Sequence, residues 1–507
     1  MIDLIRLDAL LASTILLIGL SLFTTCSRRH HKKYPPGPRR LPVIGNLLDM
    51  PSKEGWITYK KWSEESGCDV VHADVMGSHI IILNSAKAAN ELLEKRSSIY
   101  SDRYDVLSLR SSIVMGLSFA HVFLPYGDRW RRLRRAFHVH FHSTASNAYR
   151  PLEIQAVQRL LRNLLSSPDN FSQHLRHMTG QVILSIAYGI DVRPEGDPYV
   201  AASEKVLKGI SHVSSSPWAL LLDMVPWLIH IPSWFPGASF KHEAQKWLPV
   251  IDDMIETPYA YVKEALAAGT ATPSVTATMI SQLGAGSTEE DIWVTKAVPG
   301  IIYSAGSDTT VSALSTFFLA MILYPEVQCK AQAEVDSITC GSRLPDFSDF
   351  NELPYVNAIL KEVLRWHPVS PLSFAHRVIE DNIYEGHFIP AGSTLIPNVW
   401  AIMRDPITFP KPDRFDPERW LVKEQPPSSD AVFGYGRRIC QGRFMARDSI
   451  WAAIVNVLAT FDISPVKGDL PKERYSSGIV SYPEAFVADI RPRSVAAAAL
   501  VRATGLN

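Results

Sequence analysis
The sequence predicts a mainly α protein with a small β-rich portion, and three observations carry that prediction. Eight segments read as helices, the longest an apolar run over Ile292–Leu323. Two patches, 69–85 and 383–400, are rich in β-formers around turn-forming residues. Beyond Leu41 there is no internal repeat, low-complexity tract or long linker, so one large domain is expected where length alone suggests several.

In chain order, Ala9–Cys26 (ALLASTILLIGLSLFTTC) carries no charge, and a helix of that length spans about 27 Å, enough for a bilayer core. Basic residues follow at once (RRHHKK, Arg28–Lys33), a flank that keeps the rest of the chain cytosolic. A cleaved signal peptide would instead carry its basic residues before the apolar run and a small-residue cleavage site after it. The expectation is an uncleaved membrane anchor over 1–27, a basic and proline-rich hinge over 28–41 and a globular body over 42–507. YPPGPRRLP (Tyr34–Pro42) is stiff and extended, because proline fixes its own torsion and restricts its predecessor.

Asp69–Ser85 reads as a hairpin around Gly77-Ser78, and a second β-rich stretch covers Ile383–Trp400. Helices are expected over Ala86–Lys95, Trp130–Phe141, Leu152–Leu165, Phe171–Tyr188, Ile292–Leu323, Pro325–Ser337, Tyr355–Trp366 and Gly442–Phe461. The longest is apolar on nearly every face, which marks a buried helix. Its polar island GSDTT is therefore either a satisfied local feature or a site, since unpaired buried polar groups cost free energy.

Four constellations bear on chemistry. In GSDTT, Asp308 places a carboxylate beside the Thr309 hydroxyl, and Ala305 with Gly306 leaves a bare helix face for a flat or diatomic ligand. The bland alternative is a threonine bonding back to its own helix. In KEVLRW, Glu362 and Arg365 are three apart on one helical face, and Arg419 of FDPERW is a second guanidinium for the same carboxylate. Such a brace would pin the chain leading to Cys440; a solvated surface pair is the alternative. YGDRWRRLRRAFH predicts a basic helix with Asp128 as N-cap. Trp130 and Arg134 share one face, suited to a buried anion, and Arg131 and Arg135 share another; a solvated basic face is the alternative.

FGYGRRICQG (Phe433–Gly442) is the fourth. A core cysteine needs neither glycines nor arginines around it, whereas a thiolate ligand needs positive surroundings and backbone N–H groups directed at sulfur. Gly434 and Gly436 allow a tight turn, Arg438 can reach an acidic group on a cofactor, and Gly442 opens a helix whose N-terminus favours anionic sulfur. One cysteine as sole protein ligand suits heme iron rather than zinc, which takes three or four.

Composition narrows the rest. Lys+Arg and Asp+Glu balance at 51 each, so no polyanion such as nucleic acid is implied as a partner. Five scattered cysteines (Cys26, Cys68, Cys329, Cys340, Cys440) argue for a reducing compartment and against a disulfide or zinc framework. The glycosylation pattern at Asn170 is read as unused.

Taken together and in this order, the anchor, PPGP, WRRLR, AGSDTT, EVLR, PERW and FGYGRRICQG resemble the cytochrome P450 family of heme-thiolate monooxygenases over essentially the whole chain. The resemblance implies the cytochrome P450 fold, with 42–507 as the heme-thiolate domain binding heme b (iron protoporphyrin IX). It makes Cys440 the axial thiolate and metal ligand, with Phe433 packed beside it. Trp130, Arg134 and Arg438 match positions that hold the heme propionates, as does His376 in preference to Arg377. Glu362, Arg365 and Arg419 match a structural brace, and Asp308 with Thr309 matches the acid–alcohol pair that relays protons. The implied reaction inserts one atom of O2 into a lipophilic small molecule, with electrons from NADPH through a cytochrome P450 reductase docking near Arg131 and Arg135. The implied location is the endoplasmic reticulum membrane with the catalytic domain cytosolic.

By the same resemblance, Ser108–Phe123, the helix around Tyr303, Val369–Phe374 and Gly478–Phe486 line the pocket. Their apolar composition with scattered hydroxyls suits lipophilic substrates, and the texture of the motifs resembles fungal members that act on secondary metabolites such as terpenoids, polyketides or alkaloids. Val225–Phe240 resembles a loop that dips into lipid, with core packing as the alternative. Pro299-Gly300 departs from the pattern, and a kink or an earlier loop is expected there. A heme-thiolate isomerase or dehydratase needs no proton relay, so the Asp308-Thr309 pair argues against it. A non-catalytic heme binder is separated by reductase-dependent O2 consumption.

Overall fold
A computed structural model describes residues 33–103, 119–193, 196–214, 231–235, 239–422 and 429–505. The anchor expected over 1–27 and most of 108–123 and 225–240 lie outside them. Helices α1 (Gly55–Ser66), α2 (Asp128–Phe141), α3 (Arg150–Ser166), α4 (Phe171–Tyr188), α5 (Pro198–Ser214), α6 (Ser239–Ala267), α7 (Glu289–Leu323), α8 (Pro325–Thr339), α9 (Pro354–Trp366) and α10 (Arg443–Thr460) form most of the body. Three of these, α1, α5 and α6, were not expected. In α6 the internal Pro249 and Pro258 hide the helix from local reading, because tertiary packing outweighs their cost.

α7 is the hub. Its start is a capping box: the Thr288 Oγ1 accepts from the Asp291 amide, and Asp291 Oδ2 accepts from the Thr288 amide. Glu289, Glu290 and Asp291 crowd the first turn, where the helix dipole favours anions. Arg129 pairs with Glu290 at 3.1 Å and Arg132 with Asp291, which docks α2 onto this end. From there α7 is continuous through Pro299, so of the kink or earlier loop expected at Pro299-Gly300 the loop is not formed. Pro299 is buried, and a Cβ on Gly300 would lie 3.3 Å from Ile255 and 3.4 Å from Phe119, so close packing holds the helix where propensity would end it. α7 is long and apolar enough to cross a membrane, but its apolar window is 83% buried, as in a core helix.

The β portion joins distant segments. β1 (Val70–Val75) and β2 (Ser78–Leu83) form the expected hairpin, with Met76 and Gly77 both at positive φ, as a two-residue turn matched to strand twist requires. The Gly77 amide donates to Asp74 Oδ1 at 2.9 Å. β2 pairs in parallel with β6 (Thr394–Pro397), which pairs antiparallel with β3 (His376–Arg377). This order, β1-β2-β6-β3, carries His376 to the interior edge of the sheet. Two further pairs, β4 (Asn382–Tyr384) with β5 (His387–Ile389) and β7 (Phe461–Ser464) with β8 (Asp489–Pro492), complete the described strands.

Where α3 meets α10, Glu153 is 1% exposed, and Ser449 Oγ donates to its Oε1 at 2.6 Å while Oε2 has no partner among the described residues. Burial pushes this carboxyl up to about 8. Between its ordinary value of about 4.3 and that point, the folded protein keeps a proton that the unfolded chain has released, so stability from this group falls as pH rises. Glu153→Gln keeps an acceptor for Ser449 without the ionisation. The difference in unfolding free energy between variant and wild type, measured by chemical denaturation, should therefore grow in the variant's favour from about pH 5 to pH 8, on the order of a few kcal/mol. A constant difference across that window would show that Glu153 does not titrate as its burial requires.

Candidate active site
The cysteine loop is built by its glycines. Gly434 (φ +82°) and Gly436 (φ +54°) occupy the left-handed region, and a Cβ on Gly436 would lie 2.3 Å from the Leu93 carbonyl oxygen. The loop closes where the Cys440 amide donates to the Phe433 carbonyl at 2.7 Å. The Arg447 guanidinium lies over the Phe433 ring at 5.0 Å. Gly442 then caps α10, and the amides of Gly442 and Arg443 face the sulfur. The Cys440 side chain is exposed although it lies deep in the protein, so it borders an internal space. Burial pushes the free thiol up, against the two amides and the Arg134 and Arg443 charges. Without a metal the thiol keeps its proton; a bound metal replaces it.

Helix α2 is stitched to this loop. Arg134 Nη1 donates to the Ile439 carbonyl at 2.6 Å, and Gln441 Nε2 returns a bond to the Arg134 carbonyl at 2.7 Å. The expected capping role of Asp128 is not seen: Gly127 is the N-cap, in extended backbone, and Asp128 is the first helical residue, accepting from Arg131 Nη2 at 2.6 Å. Trp130 is buried, with Arg438 over its ring at 4.6 Å and Arg134 at 5.8 Å.

Around them the guanidiniums outnumber their carboxylates. Arg438 donates to the carbonyls of Ser101, His121 and Leu124, and Arg134 to that of Ile439. Arg103, which no sequence motif marks, donates to the carbonyls of Val122, Phe374 and Ala375. Burial lowers all three, to about 10 for Arg134, to about 9 for Arg438 and well below the ordinary guanidinium value for Arg103. Asp102 is the acid that stabilises Arg103 and Arg438, and its side chain also accepts from the Tyr126 amide and approaches Arg377 at 3.9 Å. Trp130 Nε1 is buried without an acceptor among the described residues. The arrangement is a donor-rich, positive cradle that fits a group bearing carboxylates. His376 is buried beside it, with Nδ1 2.7 Å from the Tyr100 carbonyl, and burial with Arg103 and Arg438 holds its ring neutral. His121, held down to about 3 by burial and the same arginines, was also missed from sequence.

On α7, Ala305 is the exposed position in the stretch 297–323, whose other residues are buried or half-buried. Gly306 is not part of that open face: a Cβ there would lie 2.2 Å from Ile183 Cδ1, so its lack of a side chain serves the close packing of α7 on α4. Successive helical residues are about 100° apart, which separates two positions read as one face. Thr309, four residues beyond Ala305, shares its face, and its Oγ1 donates to the Ala305 carbonyl at 3.0 Å. Asp308 turns instead into the protein, 3.4 Å from Arg176 Nη1, and the Tyr482 hydroxyl donates to its backbone carbonyl at 3.1 Å. Burial raises its carboxyl.

The brace is fully enclosed. Glu362 and Arg365 have no exposed side-chain surface, and Arg365 Nε and Nη2 each donate to the carboxylate at 2.9 Å. Arg419 Nε adds a bond at 3.1 Å, the Trp420 indole one at 2.9 Å and the Asp416 amide one at 2.9 Å. The arginines pass the constraint on, Arg365 to the Met403 carbonyl and Arg419 to that of Pro410. What the brace holds is thus the 403–420 segment; α9 itself packs against Ser429–Phe433, next to the cysteine loop.

The family model described as Cytochrome P450 matches residues 35–488. A cytochrome P450 monooxygenase of Rhodocybe pseudopiperita is 39% identical over 502 residues, covering 97% of this chain and 95% of the relative. The tryptamine 4-monooxygenase of Psilocybe cyanescens is 36% identical, covering 95% of this chain and 97% of the relative. Among solved structures, a zebrafish cytochrome P450 with abiraterone is similar in fold, with a TM-score of 0.70 at 23% identity over 87% of this chain and 100% of that one.

Proposed function
The chain belongs to the cytochrome P450 family and is a P450 monooxygenase, and from that premise we propose that it oxygenates a lipophilic small molecule with heme b held by the Cys440 thiolate. The observation that carries this reading is the cradle of Arg103, Arg134, Arg438 and the acceptor-less Trp130 Nε1 around the Cys440 loop, a donor set suited to propionates. When bound, the heme supplies the activation of O2 and the site of electron entry.

The chain's own residues do the rest. Arg134, Arg438, Arg103 and Trp130 hold the carboxylates. His376 must donate its Nδ1 proton to the Tyr100 carbonyl, so its Nε2 donates to a carboxylate only in the imidazolium form, which that carboxylate would stabilise. The amides of Gly442 and Arg443 favour the sulfur anion, and Phe433 packs beside it. Thr309 presents a hydroxyl on the open Ala305 face, and Asp308, on the adjoining face with its carboxyl raised by burial, is the acid paired with it in proton delivery. The Glu362–Arg365–Arg419 brace keeps the segment ahead of the cysteine loop in place.

Substrates of the fungal secondary-metabolite kind, such as terpenoids, polyketides or alkaloids, are supported by the fungal relatives, one of which is named for an indole amine. Electrons come from NADPH through a cytochrome P450 reductase that docks at the exposed Arg131 and Arg135. Residues 1–27 anchor the chain in the endoplasmic reticulum membrane, 28–41 are the hinge and 42–507 the cytosolic catalytic domain. Trp234, 78% exposed, and Phe235, 49% exposed, are free to meet lipid. The test is expression with a reductase, with O2 uptake and untargeted metabolite comparison against Cys440→Ser. New oxygenated products that require both reductase and Cys440 are expected; product formation without reductase would overturn the monooxygenase reading in favour of an isomerase or dehydratase.

A further inference from the structure
The helix expected over Ala86–Lys95 begins as an α-helical turn, Ala86–Ala89, and continues as a π-helical turn, Asn90–Lys95, in which the Arg96 amide donates to the Glu91 carbonyl, five residues back, at 3.1 Å. The π-helix is rare, and its single turns are found frequently at functional sites. Here Leu92 and Leu93 are buried in one cluster with Tyr435 and Trp420, while Glu94 stays exposed. Arg96 fastens the end of the turn: Nε donates to Glu91 Oε1 at 3.1 Å, and Nη1 donates to Asn382 Oδ1 at 2.8 Å and to the Ile383 carbonyl at 2.9 Å. A few residues on, the Tyr100 carbonyl accepts from His376 Nδ1 and the Ser101 carbonyl from Arg438 Nε at 2.8 Å. One segment therefore reaches both the cysteine loop and the cradle.

The loop meets this turn through Gly436. Gly436–Arg438 form a short 3-10 turn packed against Asn90–Lys95. Within it the Arg438 amide donates to the Tyr435 carbonyl at 3.1 Å and the Ile439 amide to the Gly436 carbonyl at 3.2 Å. The Gly436 amide opens the turn and finds no acceptor inside it, as the first donors of a helical turn do not, and Tyr435 at the N-cap offers no side-chain bond. Glu94 supplies the acceptor from 342 residues away: its Oε2 accepts from the Gly436 amide at 2.5 Å. A bond to a carboxylate is stronger than one between neutral groups. The Leu93 carbonyl occupies the space a side chain on Gly436 would need, so the loop backbone lies directly on the π-helical turn. Arg134 and Gln441 stitch the loop to α2 around Ile439 and Gln441, Glu94 holds it at Gly436, and Cys440 lies within the span so held.

We propose that Glu94 is a positioning residue for the cysteine ligand: from the π-helical turn its carboxylate caps the Gly436 amide and holds the loop in the conformation that presents Cys440. The inference rests on the reading of Cys440 as the heme ligand. The test uses the heme-loaded full chain. The rate at which the reduced enzyme loses its sulfur-ligated carbon monoxide band on mild warming is read beside amide hydrogen exchange of the peptide spanning 431–439. Glu94→Ala should lose the band about tenfold faster and exchange that peptide faster, with a Tm near that of wild type, as the loss of one charge-assisted hydrogen bond requires. Glu94→Gln keeps an acceptor oxygen and should restore most of both, whereas Glu94→Asp keeps the charge on an arm one carbon shorter and should behave as the alanine variant. Glu91→Gln weakens the same turn at Arg96 but leaves the Gly436 bond, and should match wild type. Wild-type behaviour of Glu94→Ala overturns the proposal. So does an equal effect of Glu91→Gln, which would make the general stability of the turn the cause, and so does rescue by aspartate but not by glutamine, which would make it the charge alone. If wild type itself lacks the sulfur-ligated band, the heme-thiolate assignment fails, and the exchange measurement still decides whether Glu94 holds the loop.

Discussion

Cys440→Ser is expected to abolish the far-red-displaced carbon monoxide spectrum of the reduced enzyme and to bring oxygenated product to background. The reason is local. The serine hydroxyl is a poor anion and a weak donor to iron, while the amides of Gly442 and Arg443 and the charges of Arg134 and Arg443 are set around a sulfur. The fold should survive, because Cys440 borders an internal space rather than packing in the apolar core. Cooperative unfolding with a Tm near that of wild type, but no displaced band, is the expected pair of results. A displaced band that persists in the variant would remove Cys440 as the ligand, and the cradle would then need another explanation.

The second large effect is expected at the brace. Glu362→Gln keeps the shape of the side chain but removes its charge and turns an N–H2 toward the donors of Arg365, Arg419, Trp420 and the Asp416 amide. Two buried guanidiniums lose the counter-ion they share, a change that typically costs about 3–5 kcal/mol. Against a total stability on the order of 5–15 kcal/mol, that is a large share. Chemical unfolding should show the loss directly, and heme incorporation should fall with it because α9 packs against the segment that enters the cysteine loop. Arg365→Lys should be nearly as damaging, since an ammonium cannot donate in the bidentate fork. If Glu362→Gln unfolds as wild type does, the enclosed network is not what holds the 403–420 segment.

How far each site could be read from sequence depends on the distance its chemistry spans along the chain. The cysteine loop is legible because its glycines, arginine and cysteine lie within ten residues, and each answers a local demand of backbone or charge. Three members of the brace are legible, Glu362 and Arg365 as neighbours on one helical turn and Arg419 from the downstream FDPERW motif. Trp420 and the Asp416 amide were not, since nothing local marks a donor that acts on a carboxylate more than 50 residues away. Arg103 sits in no motif, and only the folded chain brings it to Phe374 and Ala375. Gly306 was misread because adjacency in sequence is not a shared face on a helix.

The sequence alone therefore determined the class of the fold, the ligand cysteine expected within it and the order of the motifs, because these depend on periodicity and on short-range chemistry. Only the tertiary structure decided which way Asp308 points, which cations gather around the cysteine loop, and that α7 continues through Pro299. Those outcomes are settled by contacts between segments hundreds of residues apart, where burial and packing outweigh local preference.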